Sequence, residues 1–128
     1  MVKMATVMIV DDTEVVRRAM AALLRHDGHR TVCAANGVEA LSRIHEGTRP
    51  DLVLLDVEMP EMDGLTALQR LRHEPRTSHT PVVMMTSRTD RETETEAIRR
   101  GADGYLKKSL LSWDEVHNRL APYLAPTS

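Results

Sequence analysis

Short apolar runs alternate with stretches of helical period along the whole chain. Residues 5–10 form an apolar run that Asp11 and Asp12 stop abruptly. Beyond it, Val16, Ala19/Met20 and Leu23/Leu24 recur on one face, with Arg17, Arg18 and Arg25 off it. That spacing predicts an amphipathic helix, which Gly28 ends. Residues 30–34 read as a second strand, and Asn36-Gly37 turns into a helix carrying Val38, Leu41 and Ile44. A third run, residues 52–55, stops at Asp56, and the loop VEMPEMDG leads into a helix with Leu65, Leu68 and Leu71. Pro81 opens a fourth strand, residues 82–85, ending at Thr86. Thr89-Asp90-Arg91-Glu92 has the form of a capping box, and the helix it starts runs to about Arg100 and stops at Gly101. Residues 103–107 read as a fifth strand. A second capping box at Ser112-Trp113-Asp114-Glu115 then opens a last helix that buries Val116, Leu120 and Leu124 on one stripe.

Five strand–helix units in strict alternation imply a parallel α/β sheet with helices on both faces, because parallel neighbours need a crossover connection. The near-continuous apolar strands fit a sheet covered on both sides. In such doubly wound sheets the functional crevice lies beyond the carboxyl ends of the strands.

Composition narrows this further. With 128 residues there is room for one domain, expected over 1–128 with its core at about 5–124. There is no Phe, one Trp and two Tyr, so Val, Leu, Ile, Met and Ala must build the core. The net charge of −2 argues against nucleic acid or an anionic membrane surface as a direct partner. The six histidines show no paired zinc-site spacing. The single Cys33 excludes an internal disulfide and reads as a small buried hydrophobe on a strand, which suits a reducing compartment. The first residues hold too short an apolar stretch for a signal peptide or a membrane span, so a cytoplasmic location is expected.

The candidate chemistry stands where the strands end. The first ends in Asp11 and Asp12, the third in Asp56, the fourth in Thr86-Ser87, and the fifth runs into Lys107-Lys108. Taken singly, Asp12 or Thr13 fits a helix-capping role equally well. Core packing calls for none of these residues at one edge, so their convergence points to chemistry. Neighbouring carboxylates repel, and hard oxygen ligands favour magnesium, with manganese the next choice, over zinc.

The segments IVDDTEVVRR, ANGVEAL, DLVLLDVEMPEMDG, PVVMMTS and GADGYLKKS, in this order, resemble the receiver domain of two-component response regulators over nearly the whole chain. The separations agree as well: 30 residues from Asp56 to Thr86 and 22 from Thr86 to Lys108. The resemblance implies a flavodoxin-like/CheY-like doubly wound five-stranded sheet of order 2-1-3-4-5 with five helices. It implies that Asp56 is the phosphoacceptor. It also implies that Asp11, Asp12, Asp56 and the backbone carbonyl of Glu58 serve a Mg2+ ion, with Mn2+ an alternative. Thr86, Ser87 and Lys108 would bind the phosphoryl group, Lys108 being preferred to Lys107 on spacing. Tyr105 would switch with Thr86 and rearrange the surface of the fourth helix, fifth strand and fifth helix. Implied partners are a sensor histidine kinase or histidine phosphotransfer protein and a downstream target or output domain, with the chain a monomer or weak homodimer. It is expected to be a signalling domain that catalyses its own phosphorylation and dephosphorylation, and not an enzyme. The last helix ends near Leu124, so the stretch is expected to hold a receiver alone, either free-standing or cut from a larger regulator or hybrid kinase.

Two features depart from the family pattern. Ser109 follows Lys108 where the family usually has proline, often after a cis bond; a cis bond to serine costs about 3 kcal/mol, so trans geometry or a tolerated strain is expected. Glu58 and Arg88 stand at positions flanking the path of the hydrolysing water, where opposite charges are expected to pair and slow phosphate loss. Rival readings fit less well. A dehalogenase-type phosphotransferase wants alternating D-x-D after the first strand, whereas Asp11 and Asp12 are adjacent. A flavodoxin or dinucleotide site presents glycines and helix-end N–H groups to a phosphate, not carboxylates. A receiver fold that has lost phosphorylation typically lacks a site residue, and none is missing here.

Overall fold

The computed structural model describes residues 4–87, 91–108 and 112–124. The elements run β1 (Thr6–Val10), α1 (Glu14–His26), β2 (Arg30–Ala34), α2 (Gly37–His45), β3 (Leu52–Asp56), α3 (Gly64–His73), β4 (Val82–Thr86), α4 (Arg91–Arg99), β5 (Gly104–Lys107) and α5 (Trp113–Leu124). The strands form one sheet of order β2-β1-β3-β4-β5, with every neighbouring pair parallel.

Successive side chains of a strand point to opposite faces, and both faces here are covered. On one face Met8, Val10, Val53, Leu55, Val82 and Met84 pack with residues of α2, α3 and α4, among them Ile44, Leu68 and Ala97. On the other, Val7, Ile9, Leu52, Leu54, Val83, Met85 and Leu106 pack with Met20 and Leu24 of α1 and Val116 and Leu120 of α5. The double covering is why β1, β3 and β4 read as unbroken apolar runs. Leu124 is only partly buried at the end of its stripe, and Cys33, on the edge strand β2, is half-buried.

Two local expectations change. Val38 is 50% exposed, and α2 buries Gly37, Ala40 and Ile44 instead. At 100° per residue Val38 lies about 120° round the helix from Ile44, so the two cannot share a buried stripe. Thr13 stands at the N-cap of α1 but makes no side-chain capping bond, which removes its capping role. Asn36 and Asp63 do cap: their side chains accept from the N–H groups of Glu39 and Thr66, each at 2.8 Å. In the second expected capping box Ser112 Oγ accepts from Glu115 N–H at 3.2 Å, while the Glu115 carboxylate takes Arg119. Thr89 and Asp90 of the first box lie outside the described residues.

One glycine positions the site directly. A Cβ on Gly64 would overlap the backbone carbonyl oxygen of Asp56 and come within 2.7 Å of Val57 Cα. Only glycine lets α3 start this close to the end of β3.

Candidate functional site

Asp11, Asp12 and Asp56 meet at the carboxyl edge of the central strands, because β1 and β3 are direct neighbours in register. Each offers a carboxylate oxygen, and these atoms all lie within 4.8 Å of one another. Asp11 is fully buried, Asp56 is 2% exposed and Asp12 faces solvent. The ammonium of Lys108 reaches in from the end of β5, 2.6 Å from Asp11 Oδ2 and 3.1 Å from Asp56 Oδ1.

The remaining oxygens are unevenly served. Asp11 Oδ1 accepts the Thr13 N–H at 2.8 Å, and Asp56 Oδ1 also accepts the Glu58 N–H at 3.2 Å. Asp56 Oδ2 is buried with no hydrogen-bond partner among the described residues. An orphaned buried carboxylate oxygen is costly, and it marks where the site lacks a positive or donating group. Arg17 of α1 donates to the Asp11 backbone carbonyl at 2.6 Å, tying the β1–α1 turn in place.

The electrostatics follow from this crowding. Burial, and then the charge of Asp11, push the Asp56 carboxyl up from its ordinary 3.8 to about 6, with Lys108 and the Glu58 N–H offsetting part of the rise. Burial alone would lower the Lys108 ammonium, but its bond to Asp11 and the charge of Asp56 outweigh that and raise it. A hard divalent cation fits this donor set of three carboxylates, one of them with an unserved oxygen.

Around the acids, Thr86 ends β4 fully buried and Ser87 follows it exposed. Their hydroxyls donate to Glu58 Oε1, at 3.5 Å from Thr86 and 3.3 Å from Ser87. Tyr105 of β5 is partly buried against the core face formed with α2, α3 and α4. Beside the acids a cleft of about 460 Å³ is lined by residues including Asp12, Glu58, Asp63 and Leu65. Arg88 and Ser109 lie outside the described residues. Sequence reasoning missed two placements. Arg17 was read only as lying off the apolar face of its helix, and the bonds from the Thr86 and Ser87 hydroxyls to Glu58 were not anticipated; the expected Glu58–Arg88 pair involves a residue outside the described ones. No periodicity signals either, because both depend on loop conformation.

A family model described as response regulator receiver domain matches residues 7–121. The chain belongs to that family. This receiver domain is 45% identical over 103 residues to the regulatory protein AtoC of Escherichia coli K12, covering 80% of this chain and 22% of that protein. It is 42% identical over 108 residues to protein-glutamate methylesterase/protein-glutamine glutaminase 3 of Rhodospirillum rubrum, covering 82% and 28%. It thus spans about a quarter of the length of these two curated relatives. Among solved structures, the chemotaxis protein CheY4 of Vibrio cholerae superposes with a TM-score of 0.89 at 31% identity, covering 95% of this chain and all of that one.

One expectation is corrected by these relatives. The receiver domain was expected not to be an enzyme, yet the Rhodospirillum relative carries an enzyme's name and this chain matches 28% of its length. Membership of the family therefore gives no ground for excluding enzymatic activity. Among the described residues no helix is long and apolar enough to cross a membrane.

Proposed function

We propose that this receiver domain accepts a phosphoryl group on Asp56 in a magnesium-dependent reaction and relays the change to a partner or output domain. The observation that carries the reading is the three-carboxylate cluster with Lys108 paired to two of its members. No packing requirement explains three buried or half-buried charges, with Asp12 exposed beside them, at one strand edge, whereas phosphoryl transfer needs positioned charge of this kind.

In the proposed reaction an Asp56 carboxylate oxygen forms a bond to phosphorus as the bond from phosphorus to the donor's histidine nitrogen breaks. The imidazole leaves with the electron pair and takes up a proton. Asp11, Asp12, Asp56 and the Glu58 backbone carbonyl would hold Mg2+, or Mn2+ in its place. The ion, when bound, supplies charge neutralisation between the acids and the phosphoryl oxygens. Lys108 exchanges its contact with Asp56 for one with a phosphoryl oxygen while keeping Asp11. The Thr86 hydroxyl and the backbone N–H of Ser87 serve further oxygens. As Thr86 turns inward Tyr105 follows, and the α4-β5-α5 surface changes shape.

On this reading the donor is a sensor histidine kinase or histidine phosphotransfer protein. The output is a protein target or attached domain rather than nucleic acid, and the domain works in the cytoplasm as a monomer or weak homodimer. Intact-protein mass after incubation with acetyl phosphate tests it. A gain of one phosphoryl group that requires magnesium and vanishes in Asp56→Asn supports the reading; no gain with the ion present overturns it.

A further inference from the structure

Among its contacts with described residues, the Glu58 side chain makes two hydrogen bonds that the reaction above does not need. Its Oε1 accepts from Ser87 Oγ at 3.3 Å and from Thr86 Oγ1 at 3.5 Å, so one carboxylate oxygen gathers both hydroxyls at the end of β4. We propose that Glu58 is a resting-state lock, a stand-in for the phosphoryl oxygens that holds the Thr86 and Ser87 hydroxyls until a group on Asp56 displaces it. This rests on the reading of Asp56 as the phosphoacceptor.

The argument is one of exclusive donation. A hydroxyl carries a single proton to give, so Thr86 bonded to Glu58 is not at the same moment donating to a phosphoryl oxygen. The two acceptors are both anionic and would compete for the same ground beside Asp12 and Asp56, where further negative charge is unwelcome. One of them must yield. The two hydroxyls are readily released by Glu58, because both bonds are long for O–H···O contacts and so individually weak. Glu58 also has somewhere to go: the residue is exposed and lines the cleft of about 460 Å³ beside the site. Thr86, by contrast, is fully buried at the end of a central strand, so its hydroxyl must find its acceptor within the protein. Glu58 is then a positioning residue, acting on the site through the two hydroxyls and biasing the domain toward its unmodified form.

The test compares the full chain with Glu58→Gln, which keeps an acceptor oxygen but loses the charge, and Glu58→Ala, which loses both. Without magnesium or phosphodonor, the Thr86 and Ser87 amide resonances are expected to shift in both variants. With magnesium, beryllium fluoride serves as the phosphoryl mimic, and its Kd is expected to tighten about threefold to tenfold in Glu58→Ala and by less in Glu58→Gln. Magnesium alone should tighten in neither, since removing a nearby anion cannot strengthen a cation. Unchanged or weaker mimic binding in both variants, with the unsubstituted chain binding normally, overturns the lock. If Glu58→Ala does not fold, Glu58→Gln decides alone: no tightening there rejects the proposal. Failure of the unsubstituted chain to bind the mimic with magnesium strikes at the proposed function itself and removes the lock with it.

Discussion

Replacing Asp56 by Asn should stabilise the metal-free protein at neutral pH, because the native aspartate is held charged at a buried site beside Asp11. Its carboxyl is raised from 3.8 to about 6, so the folded state binds this proton more tightly than the unfolded chain does. The sign follows. The stabilisation from protonated Asp56 is fully present below 3.8 and is lost as pH rises through about 6. The interval of about 2 pH units, at 1.36 kcal/mol each, gives a penalty of at most about 3 kcal/mol at pH 7. Asn removes that penalty but also takes one anionic partner from Lys108, which keeps its 2.6 Å contact with Asp11. We therefore expect a net gain of about 1–2 kcal/mol, or roughly 4 °C per kcal/mol in Tm. Urea or thermal unfolding of both proteins in a chelator, from pH 4.5 to 8, measures it. The advantage of Asp56→Asn should be largest above pH 7 and shrink steadily below pH 6. Magnesium should narrow it further by binding the unsubstituted chain more tightly. Equal or lower stability of the variant at pH 7, or a gain that ignores pH, refutes the electrostatic account.

Lys108→Ala leaves Asp11 and Asp56 facing each other without their shared cation. It should cost about 3 kcal/mol in chelator, with part of the loss recovered on adding magnesium; urea unfolding in both conditions checks this. Gly64→Ala forces a Cβ into the Asp56 carbonyl and should lower stability by more than about 2 kcal/mol, read as a drop in Tm; a near-neutral effect would mean that the β3–α3 turn relaxes freely. Asp12→Asn keeps the shape of an exposed residue while removing one of the three clustered carboxylates. It should weaken magnesium binding at least about tenfold by isothermal titration with little change in metal-free stability.

Much of the fold is legible in the chain because β1, β3 and β4 are buried on both faces. They appear as apolar runs that stop where a polar residue takes over, and the positions where they stop are the site. Asp11, Asp56 and Thr86 stand out for that reason. Strand order is different: alternation of strands and helices fits several doubly wound sheets, and only the family resemblance pointed to β2-β1-β3-β4-β5. Side-chain direction at loops was also hidden. Lys107 and Lys108 are adjacent; the family spacing favoured Lys108, and the path of the chain leaving β5 is what carries its ammonium to Asp11 and Asp56. Glu58 bonds Thr86 and Ser87 because of how the β3–α3 loop folds over the end of β4, a contact across 28 residues that no local pattern encodes. Val38 misled for a simpler reason: an apolar residue at helical spacing can fall on the solvent side when small residues such as Gly37 and Ala40 form the true contact face.

Chemical trapping of the modified residue tests the central claim most directly. The full chain is incubated with acetyl phosphate and magnesium, reduced with borohydride, digested and mapped by mass spectrometry. An acyl phosphate on an aspartate is reduced to an alcohol, so the account predicts homoserine at position 56 alone, and none when magnesium is withheld. Homoserine at Asp11 or Asp12, or at no position despite a phosphoryl gain in intact mass, would contradict it.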